Sequence, residues 1–242
     1  MLINQAIILA GGLGTRLRPL TDNVPKPLLN IGGKPLLAYH IDLLRHHGIK
    51  NIVVKTFFKN ELFENFIKES GYSDIEVIFE GEKTLGTAGF LWRNPLKLQD
   101  EILITYGDNL TNINYSNFVD HIKEGSWDFG MAVFLAENIS DKGMVVFDSN
   151  DRVHSFIEKP QEGIHASKYA NAGVYLVRRT TLEAMPFDGK ECDFANDLIP
   201  ALLNSGKEIK IYKMDEILID IGTATNLARA ETCVRLHRDK FI

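Results

Sequence analysis

"LAGGLGTRLRPLTDNVPKPLLNIGGKPLL", from Leu9 to Leu37, decides the fold. It continues the apolar run Ala6-Ile7-Ile8-Leu9. A continuous apolar run reads as a strand buried on both faces. A glycine-rich turn directly after such a strand lies at the carboxyl edge of an α/β sheet, where ligands bind. Gly11, Gly12 and Gly14 permit positive φ and let backbone N–H groups approach a phosphate. Arg16 and Arg18 add charge-assisted donors, and Lys26 adds a compact cation. Pro25 and Pro27 restrict the backbone on either side of Lys26 and so preset it. A surface turn with a solvated basic flank is the plainer alternative. Two familiar phosphate loops are excluded. The dinucleotide fingerprint GxGxxG needs a third glycine, but Gly12-Leu13-Gly14-Thr15-Arg16-Leu17 ends in Leu. The P-loop fails because Gly32-Gly33-Lys34 is followed by Pro35, not Ser or Thr.

Outward from this stretch, strands and helices alternate. Lys34–His47 carries a helical stripe (Leu36, Leu37, His40, Ile41, Leu43, Leu44) stopped by Gly48. Asn51–Phe58 reads as a second strand, Asn60–Ser70 as a helix and Asp74–Glu80 as a third strand. Gly86–Asn94 opens a short helix, and Glu101–Asn109 is a strand ending in a turn. This order implies a three-layer α/β/α, Rossmann-like sheet, mostly parallel. The pattern then changes. Phe129–Leu135, Met144–Asp148, Val153–Glu158 and Asn171–Val177 are short β runs, which predict an antiparallel extension. Asp193–Asn204 reads as helix, Glu208–Met214 and Glu216–Asp220 as strands, and Thr223–His237 as a terminal helix.

The 242 residues suit a single domain with a possible sub-division. A net charge of −5, from 27 Lys+Arg against 32 Asp+Glu, argues against nucleic acid but leaves room for a local cationic site. The two cysteines, Cys192 and Cys233, form no CxxC, which predicts a reducing compartment. The N-terminus lacks a basic n-region, and no run of 18 apolar residues occurs, so a cytoplasmic protein without a membrane span is expected. His46 and His47 end a helix, His40 belongs to an apolar face, and no HxxH pairing supports zinc. Trp92 and Trp127 read as packing residues.

"LAGGLGTRLRPLTDNVPKPLL" resembles the signature of the sugar-1-phosphate nucleotidylyltransferases, (L)AGGxGxRLxPLT followed by PKP. Further segments follow in the family's order: "LGTAG" at 85–89, "GDN" at 107–109, "EKP" at 158–160, "NAGVY" at 171–175 and "DIGT" at 220–223. The resemblance covers essentially the whole chain. It implies one catalytic domain over 1–242, with a nucleotide-binding half (1–112) and a sugar-phosphate-binding half (113–242). No hexapeptide repeats suggest a C-terminal β-helix. The implied reaction joins a nucleoside triphosphate to a sugar 1-phosphate and releases pyrophosphate, as in nucleotide-sugar synthesis for cell-surface polysaccharide.

Site roles follow from the resemblance residue by residue. Leu9, Ala10, Gly11, Gly12, Gly14, Thr15 and Arg16 would cradle the nucleotide, with Arg16 on the phosphates that leave. Lys26 would lie between the phosphates of the two substrates. Lys159 of "EKP" would hold the sugar phosphate, and Arg16, Lys26, Asp108 and Lys159 form the expected catalytic set. Asp108 and Asp220 would bring Mg²⁺ to the α-phosphate; hard oxygen donors of this kind suit that ion. Asn109, Gly143, Glu158 and Asn171 would serve sugar recognition, Gly143 by admitting the ring. Gly86, Thr87 and Gly89 would lie against the base, and Glu80 would accept from a guanine edge. Thymidylyl and uridylyl relatives carry Gln where this chain has Gly81. GTP with a mannose- or heptose-type 1-phosphate is therefore the expectation, with uridylyl or thymidylyl transfer as the alternative. A phosphocholine-type cytidylyltransferase, a catalytically silent nucleotide-sugar binder and a Rossmann oxidoreductase are further readings. Oligomeric state stays open, a homodimer included.

Overall fold

A computed structural model describes residues 3–81, 83–93, 98–161 and 166–241. The chain forms two compact units that interleave in sequence. The first comprises Met1–Lys83, Thr105–Tyr115 and Glu216–Ile242; the second comprises Thr84–Ile104 and Ser116–Asp215. The last 27 residues thus belong to the first unit.

In the first unit β1 (Gln5–Leu9) is buried along its length. It pairs in parallel with β2 (Asn51–Thr56), Ile7 opposite Val53 and Leu9 opposite Lys55. β2 pairs in parallel with β3 (Glu76–Phe79). Helix α1 (Leu36–His46) joins β1 to β2 and buries Leu36, Leu37, Ile41 and Leu44 completely. The stripe at i, i+1, i+5 and i+8 is what lets it lie on the sheet. The helix starts two residues later than its periodicity predicts. Lys34–Pro35 instead pairs with Asn30–Ile31, and Gly32 and Gly33 both take positive φ between them. A two-residue hairpin turn requires that conformation, and glycine adopts it without steric cost. Helix α2 (Asn60–Glu69) buries Phe63 and Ile67, four residues apart. The C-terminal helix Ala224–Leu236 presses Ala230 and Val234 onto Ile31, Tyr39 and Ile219.

One small ladder of this unit matters most. Strand Leu218–Asp220 runs antiparallel to Asn109–Thr111, with Asp220 opposite Asn109. It carries residues more than a hundred positions apart to one point.

In the second unit Phe129–Leu135 pairs antiparallel with Tyr169–Arg178 and parallel with Ile209–Lys213. Gly143–Phe147 and Val153–Glu158 form an antiparallel hairpin. The antiparallel extension is therefore present, and the strands make the expected mixed α/β sheet. Helix Tyr115–Lys123 is an addition to the expected elements; its Phe118, Val119 and Ile122 are buried. The segment Gly86–Asn94 is a turn followed by a 3-10 turn at Gly89–Trp92, with Asn94 outside the described residues. Trp92 stacks on Phe187 and donates to Leu182 O, while Trp127 is buried beneath Arg178; both pack as expected. Among the described residues no helix is long and apolar enough to cross a membrane.

Candidate active site

The glycine-rich loop leaves β1 at its carboxyl end. Ala10 N donates to Lys55 O (2.8 Å) and Gly107 N donates to Leu9 O (2.9 Å), so the loop is tied to β2 and to the "GDN" segment. Gly14 is left-handed (φ 63°), and a Cβ there would meet Thr21 Cγ2 at 2.9 Å; Thr21 Oγ1 in turn donates to Gly14 O. Gly12 faces open space, and Gly12, Leu13, Thr15 and Arg16 are exposed. The loop thus presents backbone to solvent on an anchored frame.

Lys26 is buried, its side chain only 5% exposed. Pro25 holds φ −56° before it and Pro27 follows it in a 3-10 turn. Its ammonium donates to Asp108 Oδ2 and to Asp220 Oδ1, each at 2.8 Å. Asp220 Oδ1 also accepts from Gly222 N (2.8 Å), and Arg16 Nη2 stands 3.8 Å from Oδ2. Burial alone would raise the Asp220 carboxyl pKa. The Lys26 ammonium, the Gly222 N–H and Arg16 together outweigh burial and hold it below the ordinary carboxylate value. Gly222 has a steric reason as well: a Cβ would meet Arg16 Nη2 at 2.7 Å and Asp220 Oδ1 at 3.0 Å. His40 is fully buried on α1, and burial lowers its pKa to about 4, so it is neutral at pH 7. The neighbouring carboxylates and cations therefore balance among themselves.

Arg16, Lys26, Asp108 and Asp220, expected from the sequence, do meet. Asn109 sits opposite Asp220 in the short ladder. The donor set fits a hard divalent cation: two carboxylates converge on a single cationic centre, the Lys26 Nζ that stands there.

Glu80 is placed differently from the expectation. Its carboxylate is 2% exposed and lies 2.7 Å from the ammonium of Lys55, itself 6% exposed. The pair sits directly beneath the loop, since a Cβ on Gly11 would come within 3.5 Å of Lys55 Nζ. Lys55 escaped the sequence reading, although a charge inside the apolar run "NIVVKTFF" was its signal.

In the second unit the "LGTAG" glycines are packed rather than open. Gly86 has φ 79° and a Cβ would clash with Cys192 O; a Cβ on Gly89 would meet Leu85 at 3.0 Å and Cys192 N at 3.3 Å. Ala88 N and Gly89 N both donate to Cys192 O. Thr87 Oγ1 donates to Asp193 Oδ2 (2.5 Å) and accepts from Phe194 N (2.9 Å). Close approach of the 192–194 segment accounts for these small residues. Asp193, which the sequence pattern places only at the start of a helix, also caps the turn at Phe194–Leu198.

At Gly143 the space a side chain would fill holds the Phe156 ring and Glu158 Oε2 (2.8 Å), so any larger residue would collide with them. Glu158 is half-buried; burial raises its pKa, opposed by Lys159 and helped by Asp193. Lys159 takes φ 47°, a left-handed conformation rare for a side-chain-bearing residue. Such strain recurs at functional positions. Asn171 Nδ2 donates to Tyr175 OH (2.6 Å) and its Oδ1 accepts from Gly173 N. These contacts span the irregular register between Asn171 and Tyr175. "NAGVY" is therefore a bulge held by its own side chains.

Residues 5–235 match the family described as nucleotidyl transferase. A UTP–glucose-1-phosphate uridylyltransferase of Synechocystis sp. is 32% identical over 238 residues, covering 90% of this chain and 60% of its own length. A mannose-1-phosphate guanylyltransferase of Mycobacterium tuberculosis is 29% identical over 229 residues, covering 93% and 63%. The solved structure of HddC from Yersinia pseudotuberculosis, complexed with GMP-PN, has a similar fold: TM-score 0.77 at 24% identity, over 95% of this chain and 99% of that one. The chain spans about 60% of the length of the curated relatives it matches. On its sequence, and with this constellation in place, the chain belongs to the nucleotidyl transferase family.

Proposed function

We propose that this chain joins a nucleoside triphosphate to a sugar 1-phosphate and releases pyrophosphate. The observation that carries the reading is the buried Lys26 ammonium held between Asp108 and Asp220, with Arg16 beside them, at the foot of an exposed glycine loop. The reaction makes an oxygen of the sugar phosphate attack the α-phosphorus in line. A new O–P bond forms, the bond from the α-phosphorus to the bridging oxygen breaks, and pyrophosphate leaves with that electron pair. The nucleophile is already ionised, so no strong base is needed; two anions must be brought together and neutralised. Arg16 takes the phosphates that leave, the loop N–H groups hold the nucleotide, and Lys26 supplies charge where the two phosphates meet. Lys159 receives the sugar phosphate, and Glu158 and Asn171 receive sugar hydroxyls. Asp108 and Asp220 would hold Mg²⁺, which would supply further charge neutralisation.

For substrates we propose GTP with a mannose- or heptose-type 1-phosphate. The guanylyltransferase named among the relatives and the GMP-PN complex of HddC support this choice. Transfer of a uridylyl group to a glucose-type 1-phosphate is the second reading, favoured by the Synechocystis relative. Pyrophosphate release, measured for five nucleoside triphosphates against a panel of sugar 1-phosphates and phosphocholine, decides between them. GTP with a manno-configured phosphate should give the highest kcat/KM. Release with phosphocholine alone would move the chain to another substrate class, and no release with any pair would favour a silent binder.

A further inference from the structure

The first unit carries a charge balance that bears on how its ligands enter. Lys26 and Arg16 contribute two positive charges, and Asp108 and Asp220 two negative ones. Lys26 Nζ stands 2.8 Å from one oxygen of each carboxylate, and it is almost wholly shielded, while the two carboxylates are 39% and 47% exposed. A divalent cation held by both acids needs the point where they converge, which the ammonium already fills. Entering alone, such an ion would add two positive charges to a balanced site, with Arg16 close to the second Asp220 oxygen. A triphosphate brings several negative charges and offers Lys26 new acceptors for its three N–H donors. The backbone need not move, because Pro25 and Pro27 hold it and the four-carbon stem can turn.

We propose that Lys26 holds the divalent cation's place between Asp108 and Asp220 in the free protein, and exchanges carboxylate for phosphate oxygens when the nucleotide arrives. Metal and nucleoside triphosphate then enter as one event, and the free protein binds the metal weakly. This inference rests on the nucleotidyl-transfer reading above.

The test is Mn²⁺ binding to the intact protein without nucleotide, followed by the electron paramagnetic resonance of free Mn²⁺. Lys26→Met should bind one Mn²⁺ about tenfold or more tighter than the wild type, because the competent arrangement no longer has to be uncovered. Lys26→Arg, which keeps the cation, should stay as weak as the wild type. Adding Asp220→Asn to Lys26→Met should abolish the gain. Lys26→Gln gives the same comparison should Lys26→Met misfold by circular dichroism. A wild type that binds Mn²⁺ as tightly as Lys26→Met, through Asp220, would overturn the exchange and leave the metal assignment standing. Absence of Asp220-dependent Mn²⁺ binding in every variant, with a non-hydrolysable triphosphate present or not, would overturn both.

Discussion

Lys55→Met is the sharpest test of how the loop is supported. The substitution keeps most of the side chain's volume and removes its charge. It takes the ammonium away from the Glu80 carboxylate, which is 2% exposed and 2.7 Å distant. Breaking a buried ion pair on one side costs about 3–5 kcal/mol, because a charge is left in a poorly solvated place. For a chain of this length each kcal/mol moves the melting temperature by about 2–4 °C, so a drop of about 10 °C is expected. The double variant Lys55→Met/Glu80→Gln removes both charges and should recover at least half of the loss. Differential scanning fluorimetry of the wild type, the two single variants and the double variant gives the coupling directly. A Lys55→Met protein that melts within about 2 °C of the wild type would refute the reasoning. So would a double variant no more stable than Lys55→Met. Since Lys55 Nζ would lie 3.5 Å from a Cβ on Gly11, the same single variant should also raise the KM for the nucleotide.

Three further outcomes are expected. His40 is neutral in the fold down to pH about 4 but titrates at its ordinary value of about 6.5 when unfolded. His40 should therefore contribute a loss of stability that begins as pH drops through 6.5 and reaches about 3 kcal/mol at pH 4; urea denaturation across this window should show a clearly steeper slope for the wild type than for His40→Gln. Gly86→Ala forces a side chain into a left-handed conformation and onto Cys192 O, so a loss of about 1–3 kcal/mol is expected from strain at that residue alone, read as a lowered melting temperature. Lys159→Ala should raise the KM for the sugar phosphate about tenfold and leave the KM for the nucleotide unchanged; an effect confined to the nucleotide would contradict the role given to Lys159.

Much of the fold was legible because burial writes itself into periodicity. Ile7, Ile8 and Leu9 form an uninterrupted apolar run, and β1 is the strand buried on both faces that such a run implies. The short β runs between 129 and 177 pair antiparallel, as their pattern suggested. Element ends were less legible. The helix predicted from Lys34 starts at Leu36 because a hairpin claims Lys34 and Pro35 first, and hydrogen bonds to a neighbouring strand leave no periodic trace. Helix Tyr115–Lys123 lies outside the elements the sequence pattern predicts, although Phe118, Val119 and Ile122 mark its buried face.

The site divides in the same way. The glycines and cations of the loop pointed to Arg16 and Lys26 as phosphate-handling residues, and the resemblance to the family's ordered segments added Asp108 and Asp220. Their convergence is a tertiary fact. Asp220 reaches Lys26 through the three-residue ladder that pairs Asp220 with Asn109. Only the folded chain decides that the lysine between two prolines is buried and shared by two carboxylates. Only the folded chain decides, too, that Glu80 lies on Lys55, that the Gly86 and Gly89 positions are filled by the Cys192 backbone, and that Phe156 and Glu158 occupy the space beside Gly143. The physical reason is common to all of these. A residue's type records which chemistry is available to it, while the distance to a partner elsewhere in the chain sets which of its atoms remain free to use it.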